Sequence, residues 1–594
     1  MPDVAISWRI DALAALFAVL IVAVSIPVTI YALGHGRHGP SFRGSAILYA
    51  LFVFSMLAVV VAGDAFTFLL AWETMTLASF GLVLSDHRRE EVREAAWAYL
   101  VMTHTATAAL IVGFVFLAAP SGSLEFADWR PGDLTGGLAD LVFVLGLVGF
   151  GTKAGIVPLH VWLPRAHPLA PSHVSALMSG LMIKLGIYGL LRLGFEWLGP
   201  GPAWWGSLVI ALGAASAVLG VLYALMQHDL KRLLAFHSVE NIGIILLGLG
   251  VALVARTLDA TAVIAMGLSA ALFHTVNHAT FKALLFLGAG AVESAAGRRD
   301  LEHLGGLARR MPVTAATFLV GSAAISALPP LNGFASEWLT FQSLLALGAS
   351  AAPAAVSLVP LLAGGALALT GALAVACFVK AFGVTFLALP RGRGAAEAVE
   401  VGWPERAAMI TLALACVVLG LAAGPVSAAL GALVSPSVPA PRWELTGAGA
   451  VAGHLSLPVV AASLVLLGLA VVAGARLFGP VRSRLAETWA CGIALQPVHQ
   501  YTSTAFAKPI RLMFRGIVRP VREIEIVHRA GTRAVETVHY RAHIAPVYER
   551  YIYRAVTDRL VVISHVVRRA QNGSLQLYLA YLVGALLLGL VLAR

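Results

Sequence analysis

Stretches of mostly apolar residues follow one another through this 594-residue chain. Many reach the roughly 20 residues that a helix needs to cross the hydrocarbon of a bilayer. They lie near 10–33, 45–63, 65–84, 96–118, 138–158, 170–195, 204–226, 235–255, 261–290, 312–348, 357–389, 406–434, 454–477 and 575–593. The pattern predicts an all-α polytopic membrane protein with about 14 transmembrane helices, taking 312–348 as one helix broken at Pro329 and Pro330. Composition agrees, with 59% hydrophobic and 12% charged residues and a mean hydropathy of +0.86.

Charge placement predicts the topology. Arg37, Arg43, Arg88, Arg89, Arg93, Arg165, Lys231, Arg232, Arg298, Arg299, Arg309, Arg310, Arg391 and Arg393 fall in loops of one face, whereas the other has little beyond Arg9, Arg130, Arg256 and Arg442. The positive-inside rule makes the first face cytoplasmic, which places the chain in the cell inner membrane with both termini outside. Topology also explains the net charge of +11 without a nucleic-acid partner. Cys377, Cys416 and Cys491 are isolated, so the sequence offers no iron-sulfur site, no zinc site and no disulfide framework. No glycine-rich phosphate loop follows a strand-like run. The expectation is therefore a chain with no cofactor, metal or catalytic residue of its own, whose redox chemistry belongs to partners.

Several charges lie where hydrocarbon should be. A charged side chain at membrane depth costs at least ~2.5 kcal/mol and is a functional candidate by default. Lys153 precedes an interruption at Pro158, and Lys184 sits inside the next apolar run. A helix broken at membrane depth needs neighbouring protein or water for its freed carbonyls, which predicts a polar path beside Lys153. Glu73, inside DAFTFLLAWETMTLASF, is expected to pair with Lys153 as a switchable ion pair; a static bridge that orients helices is the alternative. His274, His278 and Lys282 recur at i, i+4, so at roughly 100° per residue they form one stripe that could pass protons. Glu337 follows the second proline break. His104, His160 and His173 are further pathway candidates or simple helix caps, and Lys380 either joins the path or snorkels to the cytoplasmic edge. Residues 478–573 mix Arg, Glu and His with Val, Ile and Tyr, which reads as a cytoplasmic-side amphipathic helix lying laterally on the membrane or along partner subunits. Docking of that segment on its own bundle is the alternative.

The stretches DAFTFLLAWETMTLASF, FGTKAGIVPLHVWLPRAHPLAPSHVSALMSGLMIKLGIYGLLR, HDLKRLLAFHSVENIG, FHTVNHATFKALLFLGAG and ALPPLNGFASEW resemble the antiporter-like subunits shared by respiratory complex I, Mrp cation/proton antiporters and membrane-bound nickel-iron hydrogenases. HVWLPRAHPLAPSHVSALMSGLMIKLGIYG and TWACGIALQPVHQYTSTAF most resemble the subunit of formate hydrogenlyase and hydrogenase 4 complexes. The resemblance implies two inverted five-helix repeats with broken helices, over 64–255 and 256–434. Around them it sets N-terminal helices over 1–63, an additional helix over 435–477, the lateral region over 478–573 and a terminal anchor over 574–594. Many such relatives have about two more helices before the position of Asp11, so this N-terminus is expected to be short. The resemblance also implies a proton path in which Glu73 and Lys153 are coupled, Lys184 relays toward the centre, His274, His278 and Lys282 continue it, and Glu337 stands near the exit. The function it implies is proton pumping within a multisubunit redox-driven complex, hydrogenase or complex I related. Other membrane subunits and a peripheral redox arm would carry the iron-sulfur clusters and a nickel-iron centre. A stand-alone Mrp-type antiporter moving Na+ or K+ against protons is the alternative, and a scaffold whose charges no longer conduct is a third reading.

Overall fold

The computed structural model describes residues 6–35, 42–350, 354–434, 457–477, 489, 491–519, 521–528, 534–544, 548–568 and 573–592. Helices make up most of them. Each apolar run of the sequence coincides with a helix or a broken helix pair. Among the described residues, eleven helices are long and apolar enough to cross a membrane, and Ser45–Val61, Pro312–Ile325, Ala423–Leu433 and Leu575–Leu587 are shorter apolar helices. The chain is a multi-pass membrane protein.

The first helices are α1 (Ala12–His35), α2 (Phe42–Val61), α3 (Ala65–Val83), α4 (Glu90–Ala118) and α5 (Gly136–Ala154). Asp64 starts α3 by accepting the Thr67 N–H, and Glu90 and Glu91 occupy the first turn of α4, where a helix favours negative charge. After α5 come the short helices α6 (Leu163–Leu169) and α7 (Ser172–Leu177). A π-turn at Met178–Met182 leads into α8 (Ile183–Arg192), and a second follows at Leu193–Trp197. Next are α9 (Ala203–Leu225), α10 (Leu230–Thr257), α11 (Thr261–Ala296), α12 (Pro312–Ile325), α13 (Asn332–Gly348) and α14 (Ala354–Phe386). The break between α12 and α13 spans Pro329 and Pro330, as the sequence predicts.

The segment 172–197 and α10 are buried along their whole apolar windows and form the centre of the bundle. α10 packs on α9, α11 and α13, and α11 packs on α7, α12 and α13. Glycines set the closest approach. A Cβ on Gly243 of α10 would stand 2.5 Å from Gly213 O and Ala217 N of α9, so only hydrogen fits at that crossing.

The run 406–434 is two helices. After α15 (Arg393–Glu397), α16 (Trp403–Leu421) and α17 (Ala423–Val434) divide at Ala422, with Pro425 in the first turn of α17, the place in a helix that tolerates its missing N–H. α18 (Leu457–Leu477) and α19 (Ser503–Met513) follow.

Two compact units are distinguished, Met1–Ile510 and Arg511–Arg594. The second corrects the expectation of one long lateral helix. After α20 (Arg515–Val518) it holds an antiparallel hairpin of β1 (Val521–His528) and β2 (Val535–His543), registered from Val521 opposite His543 to His528 opposite Val535. Val521, Ile524, Ile526, Val527, Val535, Thr537 and Val538 are β-branched, which suits a pleated strand better than a helix. A helix resumes at α21 (Arg554–Arg568), which is amphipathic, and α22 (Leu575–Leu592) is the terminal apolar helix. Residues 435–456 and 478–488 of the expected regions lie outside the described residues.

Candidate functional site

α5 stops where its sequence requires. Gly155 takes φ +84° and closes the helix by donating to Gly151 O and Thr152 O, and Pro158 prevents resumption. The indole of Trp162 donates to Thr152 O at 2.8 Å, and Val157 N donates to Ser216 Oγ at 3.0 Å, so protein satisfies the break. The break places Lys153 in the last turn of α5, where the helix end favours a cation. Its side chain is buried. Nζ donates to Thr76 Oγ1 at 2.7 Å and Tyr99 OH at 3.4 Å, and it lies 5.4 Å from the Trp72 ring and 5.5 Å from the Tyr99 ring. Two hydroxyls and two π-faces thus hold one ammonium.

The expected direct pair of Glu73 with Lys153 is not made. Glu73 Oε2 meets His104 Nε2 at 3.3 Å, and Glu73 Oε1 is buried without a hydrogen-bond partner among the described residues. Lys153 reaches α3 at Thr76, one turn beyond Glu73, where neutral ligands receive it, yet the two charges remain within electrostatic range.

The π-turn before α8 directs the Ser179 carbonyl to Lys184 Nζ, while Ser179 Oγ meets Ser238 Oγ of α10 at 2.7 Å. On α11, Lys282 Nζ donates to Leu234 O of α10 and lies 5.5 Å from the Phe286 ring. The stripe expected at i, i+4 is present: the rings of His274 and His278 are 6.3 Å apart, and both are fully buried with Lys282. His274 Nδ1 meets Ser336 Oγ at 2.9 Å and Nε2 meets Asn241 Oδ1 at 3.1 Å, whereas neither nitrogen of His278 has a hydrogen-bond partner among the described residues. Glu337 follows Ser336 on α13 and is buried against Gly371 of α14.

Among the described residues, none of Lys153, Lys184, Lys282 and Lys380 has a carboxylate at salt-bridge distance; neutral oxygens hold each ammonium. A buried ammonium without a counter-ion is costly, and neighbouring ammoniums repel. Charge on one member of such a row opposes charge on its neighbour.

The remaining candidates divide. Lys380 is fully buried and donates to Leu225 O at 2.6 Å and Gln227 O at 2.9 Å, so it caps the end of α9 and does not snorkel. The freed carbonyls of that helix end attract the cation more effectively than a distant surface. His104 is half-exposed, and its Nδ1 lies 3.0 Å from Leu100 O. His160 is buried beside the Pro158 backbone, and the His173 ring lies 5.7 Å from Tyr49. No group of three or more His, Cys, Asp or Glu among the described residues could hold a metal ion.

Sequence reasoning missed three polar features. His237 Nδ1 meets Glu240 Oε2 inside α10, and Gly220 lets α9 lie against the Glu240 backbone. Both residues stand in the apolar run AFHSVENIG, so the criterion that singled out Glu73 would have found them. Lys231 Nζ pairs with Glu293 Oε2 at 2.5 Å, and Arg299 binds Asp229 and Glu293 beside it. His167 is wholly buried within the proline-rich linker.

Residues 62–362 match the family model described as NADH:quinone oxidoreductase/Mrp antiporter, transmembrane. The match contains Glu73, Lys153, Lys184, His274, His278, Lys282 and Glu337. The chain belongs to this family. Hydrogenase-4 component B of Escherichia coli is similar at 38% identity over 99% of this chain and 89% of its own length. Formate hydrogenlyase subunit 3 of Escherichia coli is similar at 36% identity, covering 86% of this chain and 81% of that one. In fold, this antiporter-like chain is similar to one from the membrane-bound sulfane sulfur reductase, an archaeal respiratory membrane complex, with a TM-score of 0.75 at 23% identity over 98% of this chain and 89% of that one.

Proposed function

We propose that this antiporter-like chain moves protons as one subunit of a redox-driven membrane complex, hydrogenase or complex I related. The observation that carries the reading is the row of buried lysines, Lys153, Lys184 and Lys282, held by neutral oxygens. A proton loaded onto one member raises the cost of charge on the next, so a shift of Glu73 between His104 and Lys153 can load or empty the row. His274 and His278 extend it, and Glu337 receives the proton near the exit. Electron transfer belongs to partners: other membrane subunits and a peripheral arm with iron-sulfur clusters and a nickel-iron centre. The chain sits in the cell inner membrane with both termini outside. Purification in gentle detergent from native membranes, with mass spectrometry and metal assay, tests this reading. Recovery of iron-sulfur and nickel subunits is expected; recovery with small membrane subunits and no metal would overturn it.

A second reading, a stand-alone cation/proton antiporter, is favoured by the same family match over residues 62–362. It requires exchange of Na+ or K+ for protons across vesicles under an imposed gradient with no electron donor.

A further inference from the structure

Buried aromatic rings form one contiguous cluster between Lys153 and the link that joins α4 to α5. The layer farthest from Lys153 is Phe126 and Trp129 of that link, with Trp197 at the end of the second π-turn. The Phe126 ring lies 4.8 Å from Trp197 and 4.9 Å from Trp129, and the two indoles are 5.6 Å apart. Phe114, near the end of α4, lies 5.4 Å from Trp197 and 5.6 Å from Phe68 of α3. Trp72, one turn along α3 from Phe68, stands 5.5 Å from it and 5.7 Å from Phe150 of α5. Lys153 Nζ then lies 5.4 Å from the Trp72 ring. Each step between rings falls within the ~4.5–7 Å of an aromatic contact, so rings follow one another from the loop to the ammonium.

The surroundings of Lys153 are therefore unequal along the helices. Its hydroxyl ligands lie away from the link: Thr76 is one turn beyond Trp72 on α3, and Tyr99 is about four turns before Phe114 on α4. The ring cluster offers water little. A phenylalanine ring has no hydrogen-bonding atom, Trp129 Nε1 donates to Ser123 O at 3.0 Å, and Trp197 Nε1 is buried without a partner among the described residues. An internal water needs about 2–4 polar partners, which a single donor does not supply. The link is also fastened. Phe126 N donates to Gly63 O and Ala65 N donates to Leu124 O, both at 2.9 Å, which pins the loop rings to the start of α3.

We propose that this aromatic cluster is a proton-tight seal, closing Lys153 to the aqueous phase on the side of the α4–α5 link. The lysine then exchanges protons through its hydroxyl side and along the row. A proton crosses a barrier along water or exchangeable groups, and a bare charge among dry rings is costly. Closure on one side keeps proton movement tied to electron transfer, because an opening here would let protons run through Lys153 between the two aqueous phases. Phe114, Phe126 and Trp197 are thus sealing residues that take no proton themselves. The inference rests on the proton-translocation reading above.

The test uses the intact complex in proteoliposomes with no electron donor, and a pH-sensitive dye follows the decay of an imposed pH gradient. Trp197→Ala and Phe126→Ala should each speed the decay about tenfold, whereas Phe126→Leu, which restores apolar bulk, should stay as tight as wild type. A merely structural loss would open a route that does not need the lysine. Trp197→Ala combined with Lys153→Met should therefore return the decay to the wild-type rate. Phe114→Tyr sets one hydroxyl inside the cluster, should speed the decay about threefold, and keeps the proposal testable where the alanine variants fail to assemble. Wild-type decay in every assembled variant of Trp197→Ala, Phe126→Ala and Phe114→Tyr, or a leak that persists with Lys153→Met, would overturn the proposal. Proton movement during electron transfer is measured in Lys153→Met alone. If it is abolished while the aromatic variants stay tight, this inference alone fails; if it runs at the wild-type rate, the translocation reading fails with it.

Discussion

Glu73 of α3 and Lys153 of α5 are each bound to a substitute for the other: Glu73 Oε2 to His104 Nε2 at 3.3 Å, and Lys153 Nζ to Thr76 Oγ1, one turn along α3 from Glu73, at 2.7 Å. A pair whose members each have a second partner can take up two arrangements, which is what the proposed switch requires.

Removing the stronger neutral ligand of Lys153 should therefore be costly. Thr76→Val should lower the stability of the purified complex by ~1–3 kcal/mol, the cost of a buried donor losing its acceptor. Tyr99→Phe should cost less, because its hydroxyl stands at 3.4 Å. Thermal melting in detergent compares them, and equal midpoints for Thr76→Val and wild type would contradict this assignment.

The α9–α10 crossing should be intolerant of a methyl group. Gly243→Ala places Cβ 2.5 Å from backbone atoms of Gly213 and Ala217, which cannot move independently, so a loss of ~1–3 kcal/mol or failure to assemble is expected. Gly364→Ala on α14, where no described residue lies within 4 Å of a Cβ, should assemble like wild type. Yields and melting midpoints of the two variants check the contrast.

Outside the spans, Glu302 ties the start of α19 to the loop before α12 through Thr504 N and Oγ1, both at 2.7 Å. Burial alone would raise its carboxyl, but His228 and Thr504 outweigh that and hold it at about 2, below the ordinary 4.5. A lowered folded value means that this tie stabilises fully above pH 4.5 and is lost as pH falls from there toward 2. Hydrogen exchange at the Thr504 amide, corrected for the intrinsic rate, should rise over that window. Glu302→Gln should show the faster exchange already at pH 7.

Lys380 separates a buried charge with a structural task from one in the row. Lys380→Met strips two carbonyl oxygens at the end of α9 of their donor and should lower the melting midpoint, yet leave the number of protons moved per electron unchanged. Lys184→Met should do the reverse. A changed proton-to-electron ratio in Lys380→Met would place Lys380 in the path.

Much of this was legible in the sequence because hydrocarbon makes strict demands. Apolar length located the spans, and Pro158 and Pro329 with Pro330 located two breaks, though not the division at Ala422. The charges at Lys153, Lys184, Lys282 and Glu337 were conspicuous because each costs so much where it lies. Pairing was not legible, since whether Glu73 reaches Lys153 or His104 depends on one turn of α3 and on rotamers that no spacing fixes. Lys380 looked like a snorkelling side chain because its acceptors, the carbonyls of Leu225 and Gln227, lie more than 150 positions away. The hairpin at 521–543 reads as helix in sequence because its polar residues recur at intervals compatible with both periods; β-branched content is the better guide. His167 was overlooked because a histidine beside prolines resembles a loop residue until the fold buries it.

The central claim is that Glu73 and Lys153 couple electron transfer to proton movement. The most direct test compares Glu73→Gln and Lys153→Ala with wild type in proteoliposomes, counting protons moved per electron in complexes verified as fully assembled. Abolished proton movement in both variants is the predicted result; wild-type proton counts in both would contradict the account.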